Sequence, residues 1–213
     1  TQSRSSAASD VYKRQIKGKG GHAATPHITA DTILITSHLI VALQQIISRN
    51  KNPLSPSVLS ICSVQGGHTT NVIPSEVKLM GTFRAMDEEW RFKAHGLIRK
   101  ITKELVESMG AEADTHIDVG YPTVDNDDVL TEKAWRLADE FTGKENVEET
   151  EMRMGAEDFG YYTKHIPGCF FRLGVRNEEK GIIHQVHTPN FNIDERAIEI
   201  GMGMMAWLGV SID

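Results

Sequence analysis

The sequence predicts an α/β fold in two parts, and three observations carry that prediction. From Ile16 the elements run β-α-β-β-α-β, the order of a split βαβ, ferredoxin-like unit with two helices on one sheet face. VLSICSV (58–64) and EVKLMGTFR (76–84) are strand sequences, the first apolar and the second alternating. The last 90 or so residues hold helices but too few strands to close a doubly wound sheet, so they read as the tail of a larger α/β domain.

Each element follows from its residues. Between Thr29 and Ser48 the apolar residues Ile33, Leu34, Ile40, Val41 and Ile47, flanked by Leu39, Leu43 and Ile46, recur at helical spacing. Thr29 and Asp31 are its cap candidates. Val58–Val64 is β-branched and almost wholly apolar, which predicts a strand covered on both faces. In 76–84, Val77, Leu79, Gly81 and Phe83 share one face. Trp90, Ala94, Leu97, Ile98, Ile101, Leu105 and Met109 line one side of a helix ended by Gly110. Residues 113–119 then return as a strand. After YPTVDNDD, a helix over 129–141 turns Val129, Ala134, Leu137, Ala138 and Phe141 inward. Residues 169–175 read as a buried strand. Asp194 caps a last helix to about Leu208, with Ala197, Ile198, Gly201, Met202, Met205 and Leu208 inside.

Composition excludes several classes. The chain has 213 residues, 39% apolar and 24% charged, with net charge −6 and no basic block. A phosphate-binding surface needs concentrated Lys and Arg, so nucleic acid is not an expected partner. The apolar run 33–47 is polar-interrupted and shorter than the ~20 residues that cross a bilayer, so no membrane partner is expected. Two cysteines, Cys62 and Cys169, are too few for a disulfide scaffold and predict free thiols in a reducing, cytoplasmic compartment. TQSRSSAASDVYKRQ (1–15) has no usable hydrophobic period and changes character abruptly at IKGKGGH. Vector-derived or read-through sequence, or a disordered native tail, both place it outside the fold.

Some polar pairs have ordinary explanations. His116 and Asp118 share a strand face and suit a metal pair, but an exposed charged pair explains them equally well. Glu88 and Glu89 sit in a first helical turn, where acids complement the dipole. Other motifs carry more. In GKGGHAATPH (18–27) the glycines let the backbone approach closely, and His22 reaches outward from a turn. In GGHTTNVIPSE, Asn71 offers a neutral amide, or an Asx turn, before a stiff segment. MGAEDFGYY (154–162) sets Glu157 and Asp158 among glycine and aromatics, as a buried carboxylate site or as helix caps. In HTPNF, Pro189 biases Thr188 toward extended backbone, and the neighbouring His187 imidazole suits a transition metal. His184 lies three residues earlier. One histidine alone is not a site.

Together, GKGGHAATPH, GGHTTNVIPSEVKLMGTFR, YPTVDND, MGAEDFGYY, PGCFFRLG and HTPNFNIDERAIEIG resemble the metal-dependent amidohydrolases of the M20 peptidase family. The branch most resembled holds hippurate hydrolases, indole-acetyl-amino-acid hydrolases and N-acetyldiaminopimelate deacetylases. The resemblance covers residues 16–210. It implies a zinc-peptidase-like α/β catalytic domain interrupted by a lid that also dimerises. Residues 16–117 would be the lid and 118–213 the C-terminal part of the catalytic domain.

The resemblance also implies roles. His187 falls on a ligand of a two-metal site, zinc or manganese, and no organic cofactor is implied. His184 becomes a supporting or surface residue. The other ligands, a cysteine, histidines and an acid, and the general-base glutamate would precede the lid, so Cys62 is not the ligand cysteine. His22 resembles the lid histidine that steadies the oxyanion in the partner subunit's site, and Asn71 the lid asparagine that contacts substrate. Arg84 is a candidate for carboxylate recognition, with Glu157 and Asp158 as acids near the metals. The implied reaction is metal-assisted hydrolysis of an N-acyl amino acid by a homodimer. The parent would be the enzyme and this chain alone inactive. A related dipeptidase, or a non-enzymatic dimerisation or ligand-binding module, is the alternative. A pure lid would not need MGAEDF or HTPNF.

Overall fold

The computed structural model describes residues 4–212. It divides into two compact units, Arg4–Val124 with Met152–Tyr161, and Asp125–Glu151 with the residues from Tyr162 onward. This differs from the expected division at 117/118, because the MGAEDF segment groups with the first unit.

The first unit runs β1 (Arg4–Ser6), β2 (Ala8–Lys17), β3 (Gly21–His22), α1 (Thr32–Gln45), β4 (Ser57–Gln65), β5 (Val72–Ile73), β6 (Glu76–Ala85), α2 (Glu88–Ser108) and β7 (Glu112–Val119). β8 (Val124–Asp125) lies at the boundary. The second unit holds α3 (Asp128–Thr142), resumes within the single turn α4 (Gly160–Thr163), and ends with α5 (Arg196–Ser211).

β4, β6, β2 and β7 form one antiparallel sheet in that order. β2 is therefore an interior strand, hydrogen-bonded on both sides. The expectation that residues 1–15 stand outside the fold is corrected here for residues 4–15; residues 1–3 lie outside the described residues. Ala8, Asp10, Tyr12, Arg14 and Ile16 alternate onto the buried face and pair with Ala85, Phe83, Gly81, Leu79 and Val77 of β6. The period of two is present, but two of the five inward residues are charged. An apolar/polar pattern cannot register such a strand.

Both helices cover this one face. Ile35, Leu39, Leu43 and Ile46 from the first, and Trp90, Ala94, Ile98 and Val106 from the second, meet Tyr12, Ile16, Leu59, Leu79, Phe83 and Ile117 in one core. Asp31 caps α1 by accepting from Ile33 N and Leu34 N, both at 3.0 Å. The expected stripe is displaced. Ile33, Leu34 and Val41 are exposed, and the i, i+4 row from Ile35 packs instead. Apolar residues surround this helix, so its period did not single out a face. Its helical run, Thr32–Asn50, has the length and apolarity to cross a bilayer, yet the Ile35–Leu39–Leu43–Ile46 row lies in the core.

β4 is an edge strand, with Val58, Cys62 and Val64 exposed, so only one of its faces is covered. β6 alternates as predicted. Asp87 caps α2 by accepting from Trp90 N. At its other end Gly110, at φ +80°, donates to Glu107 O while Ala111 donates to Val106 O, a Schellman closure.

Gly81 has a reason to be glycine. The Tyr12 ring crosses it and its hydroxyl donates to Ser60 O at 3.0 Å, so a Cβ at 81 would overlap that ring. Gly81→Ala is expected to cost about 2 kcal/mol, as overpacking does. Urea unfolding checks this, with Tyr12→Leu in the same chain expected to recover part of the loss.

In the second unit, Asp127 caps α3, and Ala134, Met204 and Leu208 form a small core with Leu137, Ala138 and Ile212. Val129, Ile198, Met202 and Met205 are exposed rather than inward. On α5, Ala197, Gly201 and Leu208 turn inward as expected, joined by Met204, with Leu173 against Gly201. Residues 169–175 are not a strand, and no ladder pairs them among the described residues. The Asn126 amide bonds both the N–H and the carbonyl of Phe170, doing locally what a neighbouring strand would do.

Candidate functional site

Two short strands bring His22 and Asn71 together. β3 pairs with β5, setting His22 opposite Val72, and Ala23 N donates to Asn71 O at 3.0 Å. The glycines of GKGGH make this approach possible. A Cβ on Gly20 would stand 2.6 Å from Ile73 O, and one on Gly21 2.8 Å from Thr29 Cγ2. Both side chains are exposed, so the imidazole and amide are offered to solvent from one β-ribbon.

Arg84 and the MGAEDF segment also meet. Arg84 Nη1 donates to Met154 O at 2.7 Å, and Ala7 N donates to Gly155 O at 2.8 Å. Glu157 is half-buried and its Oε1 accepts from Asp158 N at 3.0 Å. Glu157 O and Asp158 O accept from Gly160 N and Tyr161 N, so these acids also shape the turn into α4.

His187 stands on the second unit, exposed, with φ +64°. It is the one non-glycine residue at positive φ among those described. Such backbone costs of order 1 kcal/mol and concentrates at functional sites. Thr188 Oγ1 to Gln185 O at 2.8 Å and Phe191 N to Thr188 O at 3.1 Å hold the turn around it. Among the described residues no three His, Cys, Asp or Glu side chains group to hold a metal ion. The His187 imidazole is exposed and of a kind that suits a divalent transition metal. The decoys have structural partners: His116 Nε2 lies 2.7 Å and Lys13 Nζ 3.0 Å from Asp118, all exposed, and Glu88 bonds Arg91. A cleft of about 480 Å³ in the second unit, lined by Asp125, Asp127, Asp128 and His165, contains none of the predicted site residues.

The sequence reading missed a buried polar cluster. Asp10 and Arg91 are each 1% exposed, and His95 is 2%. Both Asp10 oxygens pair with Arg91. Arg91 Nε lies 2.8 Å from Oδ2, His95 Nε2 lies 2.8 Å from the same oxygen, and Gly120 N donates to Oδ1 at 3.0 Å. Glu88 Oε1 accepts from Thr123 N at 3.0 Å, so the cluster holds the chain just after β7. Burial works to raise the Asp10 pKa, but the hydrogen bonds from Arg91, His95 and Gly120 and the Arg91 charge outweigh it and hold the carboxyl at about 2. A depressed carboxylate stabilises the fold fully above about pH 4, the unfolded value, and loses that contribution as pH falls through about 2. Acid unfolding followed by circular dichroism should show this slope, and Asp10→Asn should flatten it.

An antiparallel α/β unit offers a histidine and an asparagine from one ribbon, and a second unit holds a histidine in strained backbone. The chain is a member of peptidase family M20/M25/M40, whose model matches residues 11–208. It is 35% identical over 206 residues to thermostable carboxypeptidase 1 of Saccharolobus solfataricus, covering 96% of this chain and 51% of that protein. It is 38% identical over 192 residues to N-acetyl-L-cysteine deacetylase of Bacillus subtilis, covering 90% and 44%. The solved structure of Bacillus subtilis YXEP, a dinuclear metal-binding peptidase of the M20 family, superposes with TM-score 0.78 at 27% identity, covering 99% of this chain and 51% of that one. The chain thus spans about half the length of the curated relatives it matches.

Proposed function

We propose that the protein to which this chain belongs hydrolyses the amide bond of N-acyl amino acids with two divalent metal ions. The observation that carries the reading is the β3–β5 ribbon, which presents both His22 and Asn71 to solvent. In this reading Arg4–Val124 is a ferredoxin-like lid, supported by the strand order β4-β6-β2-β7 and two helices on one face. The lid would also form the homodimer. Asp125 onward, apart from Met152–Tyr161, belongs to the catalytic domain and contributes His187 as a ligand, supported by its backbone at φ +64°. His187 would help hold the metals, which would supply Lewis-acid polarisation of the scissile carbonyl and activation of water. His22 donates a hydrogen bond to the oxyanion, Asn71 binds the substrate amide or carboxylate, and Arg84 and Glu157 shape the carboxylate end. The relatives' names, a deacetylase and a carboxypeptidase, span both an acyl amino acid and a peptide as substrate. The acyl amino acid is favoured because NVIP, GTFR and MGAEDF resemble that branch. Both cysteines are free, in keeping with a reducing cytoplasm.

In the full-length protein, His22→Ala is expected to lower kcat by two to three orders of magnitude, about 3 kcal/mol, with metal content unchanged. An N-acetyl amino acid panel with metal analysis checks it, and an unchanged kcat sinks the role. The 213-residue chain alone, pure and metal-loaded, is expected to show no amide hydrolysis. A measurable rate would overturn that expectation.

A further inference from the structure

We infer that His22 is held as one neutral tautomer, with its single ring proton on the outward Nε2, and that the Ala24 backbone N–H is the positioning group that holds it so. The inference rests on the proposed function only for its catalytic meaning. Ala24 N donates to His22 Nδ1 at 3.1 Å. Nδ1 occupies the place that Oδ1 takes in an Asx turn, accepting from the N–H two residues on. The same turn is closed from the other side, because His22 O accepts from Thr25 N at 2.9 Å and from Thr25 Oγ1 at 3.1 Å. Gly20 and Gly21 bring the backbone against β5, and the His22–Val72 pairing fixes its register.

A nitrogen that accepts a hydrogen bond carries its lone pair there. The neutral imidazole has one proton, so that proton is on Nε2. In this geometry Nε2 has no lone pair to take a proton, and Nδ1 can gain one only by breaking the bond from Ala24. His22 is therefore a hydrogen-bond donor, not a base. That is the state needed to stabilise a developing oxyanion, and it assigns proton abstraction to another residue.

The test is long-range nitrogen–proton NMR on the 213-residue chain at about pH 8, above the ordinary imidazole value of about 6.5. His22 is assigned by the signals lost in His22→Gln. The expected result is an unprotonated Nδ1 and a protonated Nε2. The exposed His68 and His184 serve as internal references. One net hydrogen bond should shift the His22 tautomer ratio roughly tenfold beyond theirs. A ratio matching the references, or a protonated Nδ1, overturns the inference. In the full-length protein, His22→Gln keeps a donor near Nε2, whereas His22→Asn keeps the turn but loses that reach. Gln is expected to retain at least tenfold more kcat than Asn, and equal loss would overturn the donor role. If the NMR result holds while the full-length protein hydrolyses no amide, the tautomer stands and the proposed reaction falls.

Discussion

Arg91→Ala is expected to destabilise the first unit by about 3–5 kcal/mol, a greater loss than from any other substitution named above. The reason is what it leaves behind. Asp10 is 1% exposed, on an interior strand, and Arg91 supplies its full counter-charge through a two-point contact. Without the guanidinium, the carboxylate keeps only His95 and the Gly120 N–H in a region that water does not reach. The loss extends along the chain, because Arg91 also bonds Gly120 O at 3.1 Å and Glu88, which in turn holds Thr123 N. Urea unfolding followed by circular dichroism measures the loss. The double variant Asp10→Leu with Arg91→Met removes both charges and is expected to recover more than half of it. A double variant as unstable as Arg91→Ala would mean that packing, rather than an orphaned charge, sets the cost.

Arg14→Leu is expected to act in the opposite direction, stabilising the same unit by about 2 kcal/mol. Arg14 is 3% exposed on the buried face of β2, and none of its guanidinium nitrogens has a hydrogen-bond partner among the described residues. Burial pulls its pKa from 12.5 to about 10, with Tyr12 partly offsetting. It remains charged at neutral pH, and the depression corresponds to roughly 3 kcal/mol of destabilisation. The guanidinium lies 4.4 Å from the centre of the Tyr12 ring, a cation–π contact that offsets about 1 kcal/mol. Leucine fills similar space beside Leu79 without a charge to desolvate. The check is the urea midpoint of Arg14→Leu against the parent chain, with Arg14→Lys as a control that keeps the charge and should gain nothing. A midpoint lowered by leucine would show that the ring contact outweighs desolvation.

The two charges on β2 explain why that strand escaped the sequence reading. Asp10 and Arg14 occupy inward positions of a strand whose other inward residues are Ala8, Tyr12 and Ile16. One charge is satisfied by residues 81 and 85 positions away, and that satisfaction is invisible along the chain. Residues 169–175 failed conversely: their composition suits a strand, but a strand exists only beside a partner.

The sequence by itself determined the elements whose signals are local. Asp31 caps α1, and Gly110 ends α2. β6 alternates, and GKGGH and NVIP mark the ribbon that presents His22 and Asn71. The family was also legible, because its motifs are contiguous and their chemistry is carried by residue type. Only the tertiary structure decided which side of α1 is buried, that β4 is an edge, that Arg84 reaches the Met154 carbonyl, and that Ala8–Lys17 is an interior strand. Those outcomes depend on contacts between residues far apart in sequence. Burial there is a choice among competing apolar faces, settled by which one another element covers.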